Sequence, residues 1–384
     1  MDKDTYLLLT KSNFTCKFVN KKCKYNYQYF EINTSMRNFP ERLKSARKMN
    51  GFSMQELADK MNNVVSKQAI GKYELGVMKP DSEILSAICK ALNVRPDYFL
   101  REGKITLENV EFRKLTRLSK KDIEKIREQT IDFLERYFEL ENLLGIDSKF
   151  NNPLKDTVID HESQIEEAVV KLRKSWKIES NHVPNLIKLF EDQGIKVFEI
   201  DAPDSFSGLA TYVNNSPVVV LNSNLNHVLD RKRFTALHEL AHLLLKFSRK
   251  FDQKQIEKLC YAFSGAFLMP KELFINEFGG VRHNVFIEEL KFMKQNFGIS
   301  MQAIMARAKN LELISEQYYK TFSIQFSKLG FRKKEPGAYQ GYESSNRFFQ
   351  LLYRAVAEEI ISLSKAASLN NQKLADFREM LASY

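Results

Sequence analysis

The sequence predicts a multidomain chain: an all-α domain of five short helices, a helical connector, then an α+β domain with a helical carboxy-terminal extension. Three observations carry this reading. At 384 residues the chain is longer than a single core usually fills. Between residues 39 and 100, apolar residues recur at helical spacing in short runs separated by capping and turn residues. From residue 156 onward, helical periods alternate with short apolar runs rich in β-branched residues.

Residues 1–35 show neither period and hold a basic, aromatic stretch from Lys17 to Phe30. Two readings stand side by side: a floppy arm, or translation that begins at Met36. In the following segment, 36–104, Phe39, Leu43 and Ala46 mark a first helix. Ser53-Met54-Gln55-Glu56 has the form of a capping box, in which the Ser hydroxyl and the Glu side chain satisfy each other's free backbone amides. Leu57, Ala58 and Met61 give that second helix its apolar face. After a turn at Asn62-Asn63, Ser66 can cap a third helix to about Glu74, and Leu75-Gly76 stops it. Asp81-Ser82 opens a fourth, with Ile84, Leu85, Ile88 and Leu92 on one side and Asn93 at its end. Pro96 opens a fifth that ends near Leu100.

Segment 105–155 reads as an extended piece at 105–113 and an amphipathic connector helix over 119–144, capped by Ser119 with Asp122. Its apolar residues lack sustained heptads, so packing on its neighbours suits it better than dimerisation. In 156–315, helices are expected at 165–176, 183–193, 230–246, 252–268, 285–297 and 300–310, and strands at 195–200, 209–213 and 218–221. The tail, 316–384, reads as a strand-like piece, a loop at 330–343 and two helices.

Composition narrows the classes. Hydrophobic residues make up 43% and charged residues 28%, and no apolar run approaches the roughly 18 residues of a membrane span. Tyr6–Leu9 is too short for the apolar core of a signal peptide. The four cysteines are sparse, and the two that share a segment, Cys16 and Cys23, are too far apart for a metal-type Cys-x-x-Cys, which suits reduced thiols in a cytoplasmic protein. The net charge of +11 leans toward an anionic partner.

Chemistry concentrates at His238-Glu239-Leu240-Ala241-His242. Inside an apolar helix (Phe234, Leu237, Leu240, Ala241, Leu244, Leu245), a spacing of four puts both imidazoles on one face. There their nitrogens can reach one zinc ion at about 2.0–2.1 Å. Glu239, beside the ion rather than on it, suits a general base that takes a proton from water and passes it to a leaving amine. The plain alternative is a chance match of exposed histidines, against which the apolar setting speaks. A third ligand is required. Glu257, fifteen residues past His242 and near the start of the next helix, is the candidate; Cys260 and Tyr261, one turn on, compete with it, and Glu257 as a solvated surface charge is the bland reading. His161, His182, His227 and His283 have no ligand-like spacing.

The run Arg233–Leu245, followed by Glu257-Lys258-Leu259-Cys260-Tyr261-Ala262-Phe263 and Leu268-Met269-Pro270, resembles the ImmA/IrrE family of zinc metallopeptidases. Gly298–Ala303 and Ser345–Phe348 continue the likeness, which covers most of 156–384. It implies a zincin-like fold, one zinc ion per chain and Glu257 as third ligand. Tyr261 departs from the family, which usually has Asn there. The apolar strand 218–221 could pair with an extended peptide substrate, as similar strands do in zincin-type peptidases, and is expected to be a core strand as well.

Residues 36–104 resemble the XRE (Cro/C1-type) helix-turn-helix family through Arg42–Arg47, Gln55–Ala58, Ser66–Glu74 and Leu92–Leu100. The resemblance places Ile70 and Tyr73 in the core, and Ser66, Lys67, Gln68, Gly71 and Lys72 toward the major groove and backbone of double-stranded DNA. Thirteen Lys/Arg against eight Asp/Glu in this segment, a net of +5, suit phosphate contact. Met54 replaces a Gln common in the family, and the turn before the third helix is about two residues longer and lacks Gly. Such a fold kept for protein contacts is the alternative.

In the ImmA/IrrE family the peptidase typically cleaves an XRE-type repressor. The combination therefore implies a regulatory zinc metallopeptidase tethered to DNA, cutting a repressor in trans or its own chain, with no membrane partner. A different reading is an XRE-type regulator whose zinc domain senses or recruits without proteolysis. The intact Glu239 favours the first. An antitoxin-like binding module is a third reading, and a homodimer stays open.

Overall fold

The computed structural model describes residues 38–101, 105, 107, 118–147, 149–179 and 182–382. The arm at 1–35 and nearly all of the extended piece at 105–113 lie outside the described residues. Among the described residues no helix is long and apolar enough to cross a membrane. The chain forms two compact units: residues up to 104 with 363–384, and residues 105–362.

The first unit opens with the five expected helical elements: α1 Phe39–Met49, α2 Met54–Lys60, α3 Lys67–Glu74, α4 Ser82–Leu92 and a 3-10 turn Pro96–Leu100. Local chemistry fixes their ends. Ser53 and Glu56 form the full capping box, Ser66 accepts from the Ala69 amide, Asp81 accepts from the Ile84 amide, and Asn93 closes α4 in the left-handed region. Phe39, Leu43, Ala46, Leu57, Ile70, Tyr73, Ile88, Leu92 and Phe99 build one core. Asn62 and Asn63 both hold positive φ, 53° and 56°. Two adjacent asparagines, which tolerate the left-handed region, thus make the turn without a glycine. Arg47, nearly buried, pairs bidentately with Glu74 (2.6 and 2.8 Å) and donates to the Phe52 carbonyl, tying α1 to α3.

The same unit contains the helices Leu363–Leu369 and Leu374–Ala382. Arg101 donates to the Ser368 carbonyl at 3.1 Å and Arg95 to the Gln372 carbonyl at 3.1 Å. The expected single extension at 316–384 is therefore divided, and its end completes the unit that the start of the chain begins.

The second unit comprises α5 Lys120–Leu143, β1 Val158–Ile159, α6 Gln164–Ser175, α7 Leu186–Asp192, β2 Lys196–Ile200, β3 Gly208–Val213, β4 Ser216–Asn222, α8 Leu229–Leu244, β5 Lys246–Phe247, α9 Gln253–Leu268, α10 Lys271–Phe278, α11 Ile287–Phe297, α12 Met301–Asn310, α13 Glu316–Lys328 and α14 Arg347–Ala357. A three-stranded sheet has the order β2-β4-β3, with β4 parallel to β2 and antiparallel to β3. All seven residues of β4 are buried because both faces of the sheet are covered. Val219 and Leu221 face the core that includes Leu237 and Leu240 of α8. Val218 and Val220 face a second core with Ile126 and Leu134 of α5. Phe133 stacks on Phe198 at 4.3 Å, and the buried Lys196 of β2 pairs with Glu141 of α5 at 2.9 Å. The helix read as a connector is thus one layer of this unit.

Three further expectations are corrected. β4 is hydrogen-bonded on both edges, so its backbone is not available to a peptide substrate. Residues 316–328 are helical rather than strand-like, capped by Ser315, and three helices rather than two follow the loop.

Candidate metal centre and nucleic-acid interface

Helix α8 buries Arg233, Ala236, Leu237, Leu240, Ala241 and Leu244, a stripe at spacings of three and four. That choice of face leaves His238, Glu239 and His242 on the flank, each only partly covered. Helix α9 begins with a capping box between Asp252 and Gln255, which fixes its first turn opposite the histidines. Glu257 sits in that region.

The three side chains meet. His238 Nε2 and His242 Nε2 lie 3.2 Å apart. Glu257 Oε2 is 3.0 Å from His238 Nε2, and its Oε1 is 3.5 Å from His242 Nε2. All three ligand atoms fall within 4.8 Å of one another, the one such group of three or more His, Cys, Asp or Glu among the described residues. Gln253 donates to Glu257 Oε1 at 2.8 Å and so steadies the carboxylate. The hydrogen bond from His238, the neighbouring charges of His242 and His238 and the bond from Gln253 outweigh burial and hold the Glu257 carboxyl down, at about 2. It is a carboxylate at neutral pH.

The residues fit zinc. Bonds of about 2.0–2.1 Å in a tetrahedron place neighbouring ligand atoms roughly 3.3–3.4 Å apart, close to the separations of 3.0–3.5 Å found here. Two neutral imidazoles and a carboxylate are also an ordinary donor set for that ion. Of the competing ligands, Cys260 is buried and turns its Sγ to His242 Nδ1 at 3.6 Å, away from the shared point. Tyr261 lays its ring against His238 at 4.4 Å. Glu239 follows His238 in the helix and is half-buried. His182 lies elsewhere, 3.5 Å from the Tyr339 hydroxyl.

A buried polar cluster that sequence reading missed sets the pose of α8. Arg233, one and a half turns before His238, pairs with Glu343, and both side chains are fully buried. Glu343 also accepts from the amides of Leu186 and Ile187 at 3.0 and 2.9 Å. Arg233 donates to the Val183 carbonyl at 2.8 Å and lies 4.6 Å over the Tyr339 ring. Lys232 reaches Glu199 at 2.6 Å and the Glu343 carbonyl at 2.9 Å. The signal available in the sequence was weak: charged residues beside an apolar helix normally read as a solvated face.

In the first unit, Ser66, Lys67, Gln68 and Lys72 are exposed and Gly71 is partly so, while Ile70 and Tyr73 are buried. Helix α3 therefore turns two cations and an amide outward from a surface pinned by the Arg47–Glu74 pair.

Comparison with known proteins agrees with both layouts. Residues 190–309 match the IrrE N-terminal-like domain of the M78 peptidases. Residues 43–99 match a helix-turn-helix family. The SPbeta prophage-derived uncharacterized HTH-type transcriptional regulator YonR of Bacillus subtilis (strain 168) is 38% identical over 63 residues. That stretch is 16% of this chain and 56% of YonR, so the chain spans about half the length of this curated relative. The two matches fall on the two units separately, a helix-turn-helix segment in the first and an M78-peptidase-like segment in the second. More particularly, the first segment is similar to XRE-type helix-turn-helix domains and the second to the IrrE/ImmA-like M78 peptidases.

Proposed function

We propose that this chain is a DNA-tethered regulatory zinc metallopeptidase that cleaves an XRE-type transcriptional repressor, in trans or within its own chain. The observation that carries the reading is the convergence of His238, His242 and Glu257 within 4.8 Å, beside Glu239. Zinc, when bound, polarises the scissile carbonyl and acidifies the attacking water. The protein's own part is positional. His238 and His242 present Nε2, and Glu257 adds a charge steadied by Gln253. Glu239 takes the proton from the attacking water and delivers it to the leaving nitrogen. The carboxylate is the reason to favour hydrolysis over pure sensing, since a sensor needs no general base.

DNA contact is assigned to Ser66, Lys67, Gln68, Gly71 and Lys72, supported by their outward placement on α3 and by the helix-turn-helix match. A cytoplasmic site of action goes with this reading.

The test is to incubate the purified chain with zinc, alone and with XRE-type repressors encoded beside it, next to Glu239→Gln. Cleavage that depends on Glu239 is the expected result. Zinc uptake and specific footprints without Glu239-dependent cleavage of any of them would instead establish a regulator whose zinc domain senses.

A further inference from the structure

Tyr261 lies beside the metal centre and has no part in the chemistry above. It lies one turn beyond Glu257 on α9, as Phe234 lies one turn before His238 on α8. Its ring centroid is 4.4 Å from that of His238 at 36°, and 6.1 Å from that of Phe234, nearly parallel at 19°. The side chains of the three ligand residues are 12%, 16% and 33% exposed, yet Tyr261 is 54% exposed. The surface beside the ligands thus continues as aromatic carbon, held in place by rings packed against it.

We propose that Tyr261, backed by Phe234, is a specificity-determining residue that receives a large apolar or aromatic side chain adjoining the scissile bond of the substrate. This rests on the peptidase reading of the centre. Aromatic pairs contribute roughly 0.5–1.5 kcal/mol beyond area burial, a preference of about 2- to 12-fold. A Tyr that only held the His238 ring would change zinc affinity alike for every ligand. A Tyr that touches substrate changes the ratio between ligands.

The measurement uses the full zinc-loaded chain and two probes that bind zinc without being cleaved, the hydroxamates of N-acetyl-phenylalanine and N-acetyl-alanine. Calorimetry is expected to give the phenylalanine probe a 3- to 10-fold tighter Kd. Tyr261→Asn is expected to bring that ratio below twofold, and Tyr261→Phe to keep it, with zinc content unchanged in both variants. A zinc-loaded wild type that binds both probes equally, or a ratio unmoved in Tyr261→Asn, overturns the proposal alone. A chain that takes up no zinc overturns the reading of the centre and this proposal with it.

Discussion

Ser368 donates its hydroxyl hydrogen to Asp97, joining residues 271 positions apart within one compact unit. With the bonds from Arg101 and Arg95 to the carbonyls of Ser368 and Gln372, it makes the helix Leu363–Leu369 and the turn after it a brace for the last helical turn of the helix-turn-helix core. A single cut after residue 101 and before residue 363 therefore leaves both fragments holding part of that unit. We expect a chain nicked at an introduced protease site at residues 103–104 to keep its two pieces together on a sizing column. Deletion of 363–384 before nicking removes that tie and should lower the share of pieces that co-elute.

The same contact carries a pH dependence. Burial raises the Asp97 carboxyl, but hydrogen bonds from Ser368 and Arg95 and the charges of Arg101 and Arg95 outweigh it, so its pKa lies below the ordinary 3.8. Its contribution is complete above that value and is lost as pH falls through the lower folded-state value. Ser368→Ala should cost about 1 kcal/mol at neutral pH, and the gap between wild type and variant should close in acid. Urea titration of the first unit's transition at both pH values is the check.

Gly298 closes α11 at φ 61° against the buried arginine. A Cβ there would stand 2.6 Å from Arg233 Nε and 2.9 Å from the Tyr339 ring. Gly298→Ala cannot be relieved cheaply, because Arg233 is held by Glu343 and Val183. Glu343→Ala leaves Arg233 buried without its partner, a change that typically costs about 3–5 kcal/mol. For a unit of this size that is a fall in Tm of roughly 6–20 °C, measurable by calorimetry. Zinc uptake that survives in both variants at low temperature would show that the cluster stabilises α8 without shaping the ligand set.

Where an element's signal was local, the sequence disclosed it. The caps at Ser53, Ser66, Asp81 and Ser119 stand where expected, and His238, His242 and Glu257 meet in space. Where the signal depended on distant partners, it misled. Phe322, Ile324 and Phe326 alternate as in a strand, yet Phe322 and Phe326 are buried one helical turn apart while Ile324 is exposed. The apolar run of β4 invited a substrate-pairing role because sequence does not reveal that β2 and β3 bond both of its edges. The long-range pairing of Arg233 with Glu343 left no periodic trace, and neither did the return of 363–384 to the first unit.

On the proposed DNA contacts, Lys67→Ala and Lys72→Ala should each weaken binding alike on all sequences and reduce the slope of log K against log salt by about 1. Gln68→Ala should cost roughly 1–3 kcal/mol at its operator and relax the preference at one base pair. Titrations at several salt concentrations on specific and scrambled duplexes separate these outcomes. Equal effects of all three changes on both duplexes would leave only a basic surface.

Zinc should bind the folded second unit and not its unfolded chain, so chelation should lower that unit's stability. At a hundredfold excess over Kd the gain is about 2.7 kcal/mol. His242→Ala removes a donor and Glu257→Gln replaces an anionic one with a neutral amide oxygen, each within 4.8 Å of the other two, and both should weaken zinc binding and reduce that gain. Glu239→Gln keeps all three donors, so it should keep the metal and the stability increment while any hydrolysis falls by about 10²–10⁴-fold. The contrast is informative because Glu239 and Glu257 are both carboxylates beside the same histidines. Only a residue that moves a proton without holding the ion can be neutralised at no cost in zinc. Loss of zinc from Glu239→Gln would instead make it a ligand, and its assignment as the base would fall.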